Sequence, residues 1–326
     1  MATAHSPNDA LGFKLESTHG VDPTGTPDVF LLVDEITVSN PQEIVIPATT
    51  RRNDGFVIST PRKGKTGPVT LEASGPVTYG SFGLLWHAAL GGSSSSGASD
   101  PYTHTYATAA PEFPSYTAEH VQADVANSVR YSGLRLDELS FSVGEGEEFK
   151  YKVSWMGISE ASPAAKSTIT YGTELLVPMW SDCTLTWNSL NLHLYAKGLS
   201  FSLKNGAEAR FSTGSRTARE IFCPRDRMAE MTVEIVVDST LLHSFQTAHL
   251  ALTQSDLVLT VTDPSVSNRS HTLTLNDALL TASAIVGSKG GDMKTLSLTF
   301  RGMATASAEA VGVAVVNGVS SAVGNG

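Results

Sequence analysis

Leu134-Arg135-Leu136-Asp137-Glu138-Leu139-Ser140-Phe141-Ser142-Val143 alternates apolar and polar side chains along most of its length. It passes through Gly144-Glu145-Gly146-Glu147-Glu148 into Phe149-Lys150-Tyr151-Lys152-Val153-Ser154-Trp155, which alternates again. A period of two sends successive side chains to opposite faces of an extended chain, so each run reads as a half-buried strand. The glycine-rich acidic link makes the pair a hairpin. The longest runs of the chain share this pattern and carry no catalytic cluster. A wall or scaffold is expected in preference to an enzyme.

The same period recurs at residues 69–77, 198–204, 231–238, 257–262, 271–275 and 295–302. Shorter strands are expected at 29–33, 103–106, 115–119, 183–187 and 190–195. Leu199-Ser200-Phe201-Ser202 echoes Leu139-Ser140-Phe141-Ser142, which suggests related hairpins inside one fold. Two helices interrupt the pattern. Residues 83–90 end at Gly91-Gly92, a helix stop. Residues 240–252 carry Leu241, Leu242, Phe245, His249 and Leu252 roughly on one face. Ser93-Ser94-Ser95-Ser96-Gly97 reads as a flexible surface loop and 163–167 as a linker.

Residues 49–68 change character. Arg51, Arg52, Arg62, Lys63 and Lys65 flank the short apolar piece Phe56-Val57-Ile58, as a long basic loop protruding from an acidic protein would. From residue 303 to 326 the chain is mostly Ala, Val, Ser and Gly, with Glu309 its one charged residue. The reading is therefore one mainly β domain at 1–302 and a low-complexity C-terminal tail at 303–326, either mobile or laid as an edge strand on a neighbour.

Composition narrows the function. The 326 residues are 41% hydrophobic, enough to bury a core, and only 17% charged, below the usual 25% or so. The deficit is filled by Ser, Thr, Gly and Ala, a surface that neighbouring copies can cover. With 22 basic against 32 acidic residues the net charge is −10. Tight nucleic-acid binding needs a Lys/Arg footprint, which this balance argues against, while a surface that nucleic acid slides past is compatible with it. Cys183 and Cys223 are the only cysteines and read as separate buried thiols, with a bridge between them as the alternative. Met1 to Pro7 does not read as a secretory signal, and no run approaches the roughly 20 apolar residues of a membrane span.

Motifs for chemistry are missing or incomplete. Gly64-Lys65-Thr66 resembles the end of a phosphate-binding loop, but Ser59 stands where its first glycine belongs. His243 and His249 are spaced wrongly for one helical face, His87 and His193 sit in apolar settings, and no Gly-x-Ser-x-Gly elbow occurs. No catalytic, metal or cofactor residues are assigned. Asp137, Glu145, Glu147 and Glu148 make a dense acidic hairpin that reads as a charged wall or turn. Arg216, Arg219, Arg225 and Arg227 mix closely with acids, a pattern suited to salt bridges between subunits.

The order of these features resembles the tail tube proteins of long-tailed, siphovirus-like bacteriophages. The likeness rests on Gly12-Phe13-Lys14-Leu15-Glu16-Ser17-Thr18-His19-Gly20, the loop at 49–68, the strand at 69–77 with the helix near Trp86, the 134–155 hairpin and the strand–helix pair at 231–252. It covers about two thirds of the chain and is weakest at 205–227 and the C-terminal end. The resemblance implies a β-sandwich or barrel with one or two short flanking helices and long loops. It implies homo-hexameric rings, each inner sheet joined to its neighbours', stacked into a tube through which DNA leaves the virion. Arg51, Arg52, Arg62, Lys63 and Lys65 then make ring-to-ring contacts, and Asp137, Glu145, Glu147 and Glu148 are lumen or turn acids. Tape measure, tail terminator and baseplate proteins are the implied partners, with assembly in the bacterial cytoplasm. The rival readings are another ring-forming tail part, such as a terminator or baseplate protein, and a glycan-binding β-sandwich using Trp155, Trp180 and Trp187.

Overall fold

The computed structural model describes residues 9–45, 62–108, 113–122, 126–172, 174–223, 227–237, 239–266, 269–286, 294–305 and 309–322. The chain opens with β1 (Ala10–Leu15), β2 (Val29–Leu31), β3 (Glu35–Ser39), β4 (Gln42–Val45), β5 (Arg62–Thr66) and β6 (Val69–Pro76). Helix α1 (Gly83–Leu90) follows, then β7 (Gly91–Ser96), β8 (Tyr102–Thr108), β9 (Tyr116–Val121), β10 (Asn127–Gly144), β11 (Lys150–Gly157) and β12 (Ser159–Ala165). Next come β13 (Cys183–Trp187), β14 (Leu190–Asn191), β15 (Ala196–Lys204), β16 (Glu208–Arg210), β17 (Glu220–Phe222) and β18 (Met228–Val237). Helix α2 (Ser239–Leu250) leads to β19 (Gln254–Thr262), β20 (Ser270–Val286), β21 (Lys294–Arg301) and β22 (Val311–Asn317).

Apart from the β4–β5 and β16–β17 hairpins, the strands join in one antiparallel, barrel-like sandwich. One layer is an eight-stranded sheet in the order β3, β6, β11, β10, β15, β18, β21, β20. Strands β10 and β20 are long enough to serve two layers. The N-terminal part of β10 pairs with β9 and β12, and β9 in turn carries β1 and β2. The N-terminal part of β20 pairs with β19 and β22, and these carry β13 with β14 and β8 with β7. Gly133, with φ +70°, gives β10 its bend between layers, a conformation that costs other residues about 1–2 kcal/mol.

Alternation builds the core. In β10 and β15, Leu139, Phe141, Leu199, Phe201 and Leu203 are buried while Ser142, Ser200 and Lys204 point to solvent. The Leu-Ser-Phe-Ser echo is a direct pairing, Phe141 opposite Phe201, with the rings stacked at 5.0 Å. Helix α1 is buried along its length and lies between the layers, with Trp86 against Phe82, Phe141 and Phe201. Helix α2 is held by Phe245, stacked on Trp187, and by His249, whose Nδ1 donates to the Leu280 carbonyl at 2.8 Å. Burying one such large side chain stabilises the fold by about 1.5–3 kcal/mol.

Five expectations change. The strand expected at 190–195 is extended only at Leu190–Asn191, and Leu192–Leu194 form a 3-10 turn. Ser93 to Ser96 are not part of a loop but belong to the edge strand β7, whose backbone pairs with β8. Most of the 163–167 linker belongs to β12. Leu252 lies past the end of α2 at φ +51° and is exposed, so it is not part of the helix face. The C-terminal segment contributes β22, whose Val311, Val313 and Val315 are buried between β20 and β8, and Tyr106 donates to the Ala322 carbonyl at 2.7 Å.

Candidate channel wall and assembly surfaces

The alternation that fills the core leaves the other face of the eight-stranded sheet polar. Ser140, Ser142, Ser200, Ser202 and Thr232 form its hydroxyl-rich centre, which is concave. Around them stand Glu72, Glu138, Lys150, Lys152, Lys204, Glu230 and Arg301. The basic groups lie beside carboxylates: Lys152 is 3.5 Å from Glu72, Lys204 is 3.7 Å from Glu138 and Arg301 is 3.6 Å from Glu230. Lys150 lies 3.5 Å from Glu148 and 3.9 Å from Asp34. Exposed pairs of this kind add at most about 1 kcal/mol each to stability. Their larger effect is on the field above the sheet, where each cation is screened by an adjacent anion.

Strand direction sorts the loops. Strands β3 and β15 run the same way, so the β4–β5 and β16–β17 hairpins leave the same end of the sheet. They meet there: the Thr66 amide donates to the Arg216 carbonyl at 2.8 Å. The acidic β10–β11 turn lies at the opposite end.

Arg62, Lys63 and Lys65 fall on β5, in the hairpin end. Arg51, Arg52 and Arg225 lie outside the described residues. Arg216 and Arg219 are exposed near the hairpins. Arg227 instead works inside its own chain. It donates to Asn205 Oδ1 at 2.9 Å and to the Ala89 carbonyl, and it stacks over Phe113 at 4.3 Å. Burial pulls its guanidinium down to about 10. Glu145 and Glu147 are exposed in the turn, and Glu148 is beside Lys150. Asp137 is different: it sits at the β10 bulge, half-buried, and its Oδ1 accepts from the Ala207 amide at 2.7 Å. It anchors the chain leaving β15.

The serines and threonine of the sheet face were not singled out in the sequence, although the alternation that predicted the strands also marks them as one face. Trp155 and Trp187 are fully buried, which removes two of the three aromatics a glycan platform would use. Cys183 and Cys223 are free and buried, and burial raises both thiols to about 11. Among the described residues no cluster of His, Cys, Asp and Glu is arranged to hold a metal ion, and no helix is long and apolar enough to cross a membrane.

Comparison with known proteins gives one family. A family model described as phage tail tube protein matches residues 7–304, all but the two ends of the chain. No curated protein matches. A mainly antiparallel β body with a polar sheet face, together with a match over most of its length, places this chain in the phage tail tube protein family, as a structural component of a virion tail.

Proposed function

We propose that the chain forms rings that stack into a tube, and that the polar face of the eight-stranded sheet lines the channel through which DNA passes into the host. The observation that carries this reading is the paired charge on that face. A wall of free Lys and Arg would hold each passing phosphate by releasing its counterions. Here Lys152, Lys204 and Arg301 already have carboxylates within 4 Å, and hydroxyls fill the space between. DNA meets a hydrated surface with no strong ionic partner.

Stacking follows from the two ends. The hairpin end carries Arg62, Lys63 and Lys65, and the opposite end carries Glu145, Glu147 and Glu148, so a ring set on another brings opposite charges together. Family resemblance puts six inner-sheet segments in each ring, one from each of six copies, and brings tape measure, terminator and baseplate proteins to the tube, assembled in the host cytoplasm. The protein acts by shape and charge, without catalysis. Cryo-electron microscopy of the purified protein tests the reading. Tubes whose lumen is lined by Ser140, Ser202 and Thr232 are expected. A protein that stays monomeric at high concentration, or tubes with this face outward, would refute it.

A further inference from the structure

The two edges of the eight-stranded sheet are β3 and the C-terminal half of β20, and the middle of the same sheet contains a template for joining them. The order splits into β3, β6, β11, β10 and then β15, β18, β21, β20, and the second quartet repeats the first. In each, a two-stranded hairpin interrupts the chain between the first and second members. A helix follows the second, α1 in one case and α2 in the other. The fourth member enters from the other layer, where β10 lies between β9 and β12, and β20 between β19 and β22.

The correspondence extends to single residues. The β10–β11 ladder is bulged between Leu136 and Glu138, and the β20–β21 ladder between Leu280 and Ala282. The displacement that carries Leu136 onto Leu280 carries Gly133 onto Asp277, and both have positive φ, +70° and +46°. Phe13 on β1 stacks with Trp155 on β11 at 5.0 Å; Trp187 on β13 meets Phe300 on β21 at 5.0 Å. Shared strand order, bulge position, backbone sign and core pair point to one ancestral unit present twice. The Leu-Ser-Phe-Ser echo is not its trace, because β10 and β15 occupy different places in the two quartets and meet at the seam.

We infer that the chain is a tandem pair of one tail tube unit, and that β3 of one copy pairs with the C-terminal half of β20 of another as β15 pairs with β10 within the chain. The internal seam runs Ser140 opposite Ser202, Phe141 opposite Phe201 and Ser142 opposite Ser200. The same register sets Ser39 opposite Ala284, Val38 opposite Ile285 and Thr37 opposite Val286. Among the described residues no strand pairs with the outer edge of β3, and β20 beyond Leu280 pairs only with β21. Joining them head to tail satisfies both rows of backbone groups and closes a ring with no open edge. Each chain supplies two sheet segments, so a ring of six segments contains three chains. The count of three rests on the six-segment ring proposed above; the seam does not.

Paired cysteines test the seam. Tubes of Ser39→Cys/Ala284→Cys protein are oxidised and run on a denaturing gel without reductant, with each single variant as control. A ladder that stops at three times the 34.4 kDa chain is expected and vanishes on reduction. The pair Ser140→Cys/Ser202→Cys, in the seam inside the chain, is expected to oxidise without joining chains. Cryo-electron microscopy of wild-type tubes gives the count independently: three chains per ring supports the inference. Six chains per ring, a ladder reaching six, or tubes in which β3 and β20 of neighbours lie apart would overturn it while leaving the channel reading intact. A protein that forms neither tubes nor rings removes both.

Discussion

At the scale of single residues, the buried polar groups decide how the body responds to acid. His271 packs against Tyr79 and Phe82, at ring separations of 5.1 and 6.2 Å, and burial lowers it from 6.5 to about 4. His87, buried beside Tyr116, is lowered by the same cause. A histidine held neutral in the fold titrates earlier in the unfolded chain, so the unfolded state takes up more protons as pH falls. The stability held by His271 is complete above pH 6.5 and is lost progressively towards pH 4. Part of the residue's surface remains accessible, which limits the loss to about 1–3 kcal/mol at the acid end. His271→Phe keeps an aromatic ring in place and removes the titration. Its urea midpoint is expected to fall less than the wild type's between pH 7 and pH 4. Equal slopes would assign the acid sensitivity to other groups.

Among the elements, the bent strands and the two loop ends carry the testable features. Gly133 bends β10 at φ +70°, and a Cβ there would come 2.7 Å from Ile158, so Gly133→Ala meets both strain and a clash. A loss of about 2 kcal/mol or more is expected in a thermal or denaturant melt. Charge exchange tests stacking. Reversing Arg62, Lys63 and Lys65 to Glu is expected to block tube growth, and reversing Glu145, Glu147 and Glu148 to Lys in the same chain is expected to restore it. High salt should weaken the wild-type contact. Sedimentation of polymer reads both effects, and failure of the double reversal to restore growth would remove the charge contact. Much of this scale was legible in the sequence, because period-two runs such as 134–143 and 231–238 state which side chains face inward. Local pattern did not reveal that Asp137 belongs to a bulge or that Arg227 is held by Asn205, Ala89 and Phe113, since those contacts join residues far apart in the chain. The Ser-rich run at 93–96 misled for a related reason: its strand state depends on pairing with β8.

Over the whole molecule, the polar face has to be judged as one field. A net charge of −10 alone would repel DNA, but repulsion from a distance does not keep local cations from holding a strand once it is inside a channel. The paired carboxylates do that locally, and their removal separates the two effects. Glu72→Gln, Glu138→Gln and Glu230→Gln together keep the size of each side chain and leave Lys152, Lys204 and Arg301 with no charged partner from these three positions. Surface pairs contribute little to stability, so the triple variant is expected to fold and assemble with a melting temperature within a few degrees of wild type. Its tubes are expected to retain DNA at low ionic strength where wild-type tubes do not. Three new phosphate contacts per chain would make that retention fall steeply with salt. The matching variant Lys152→Gln, Lys204→Gln and Arg301→Gln leaves the face more negative and should retain none. Measuring labelled DNA held by washed tubes across a salt series reads all three proteins. If the Glu→Gln tubes pass DNA as freely as the wild type, the paired carboxylates are not what keeps this wall from holding its cargo.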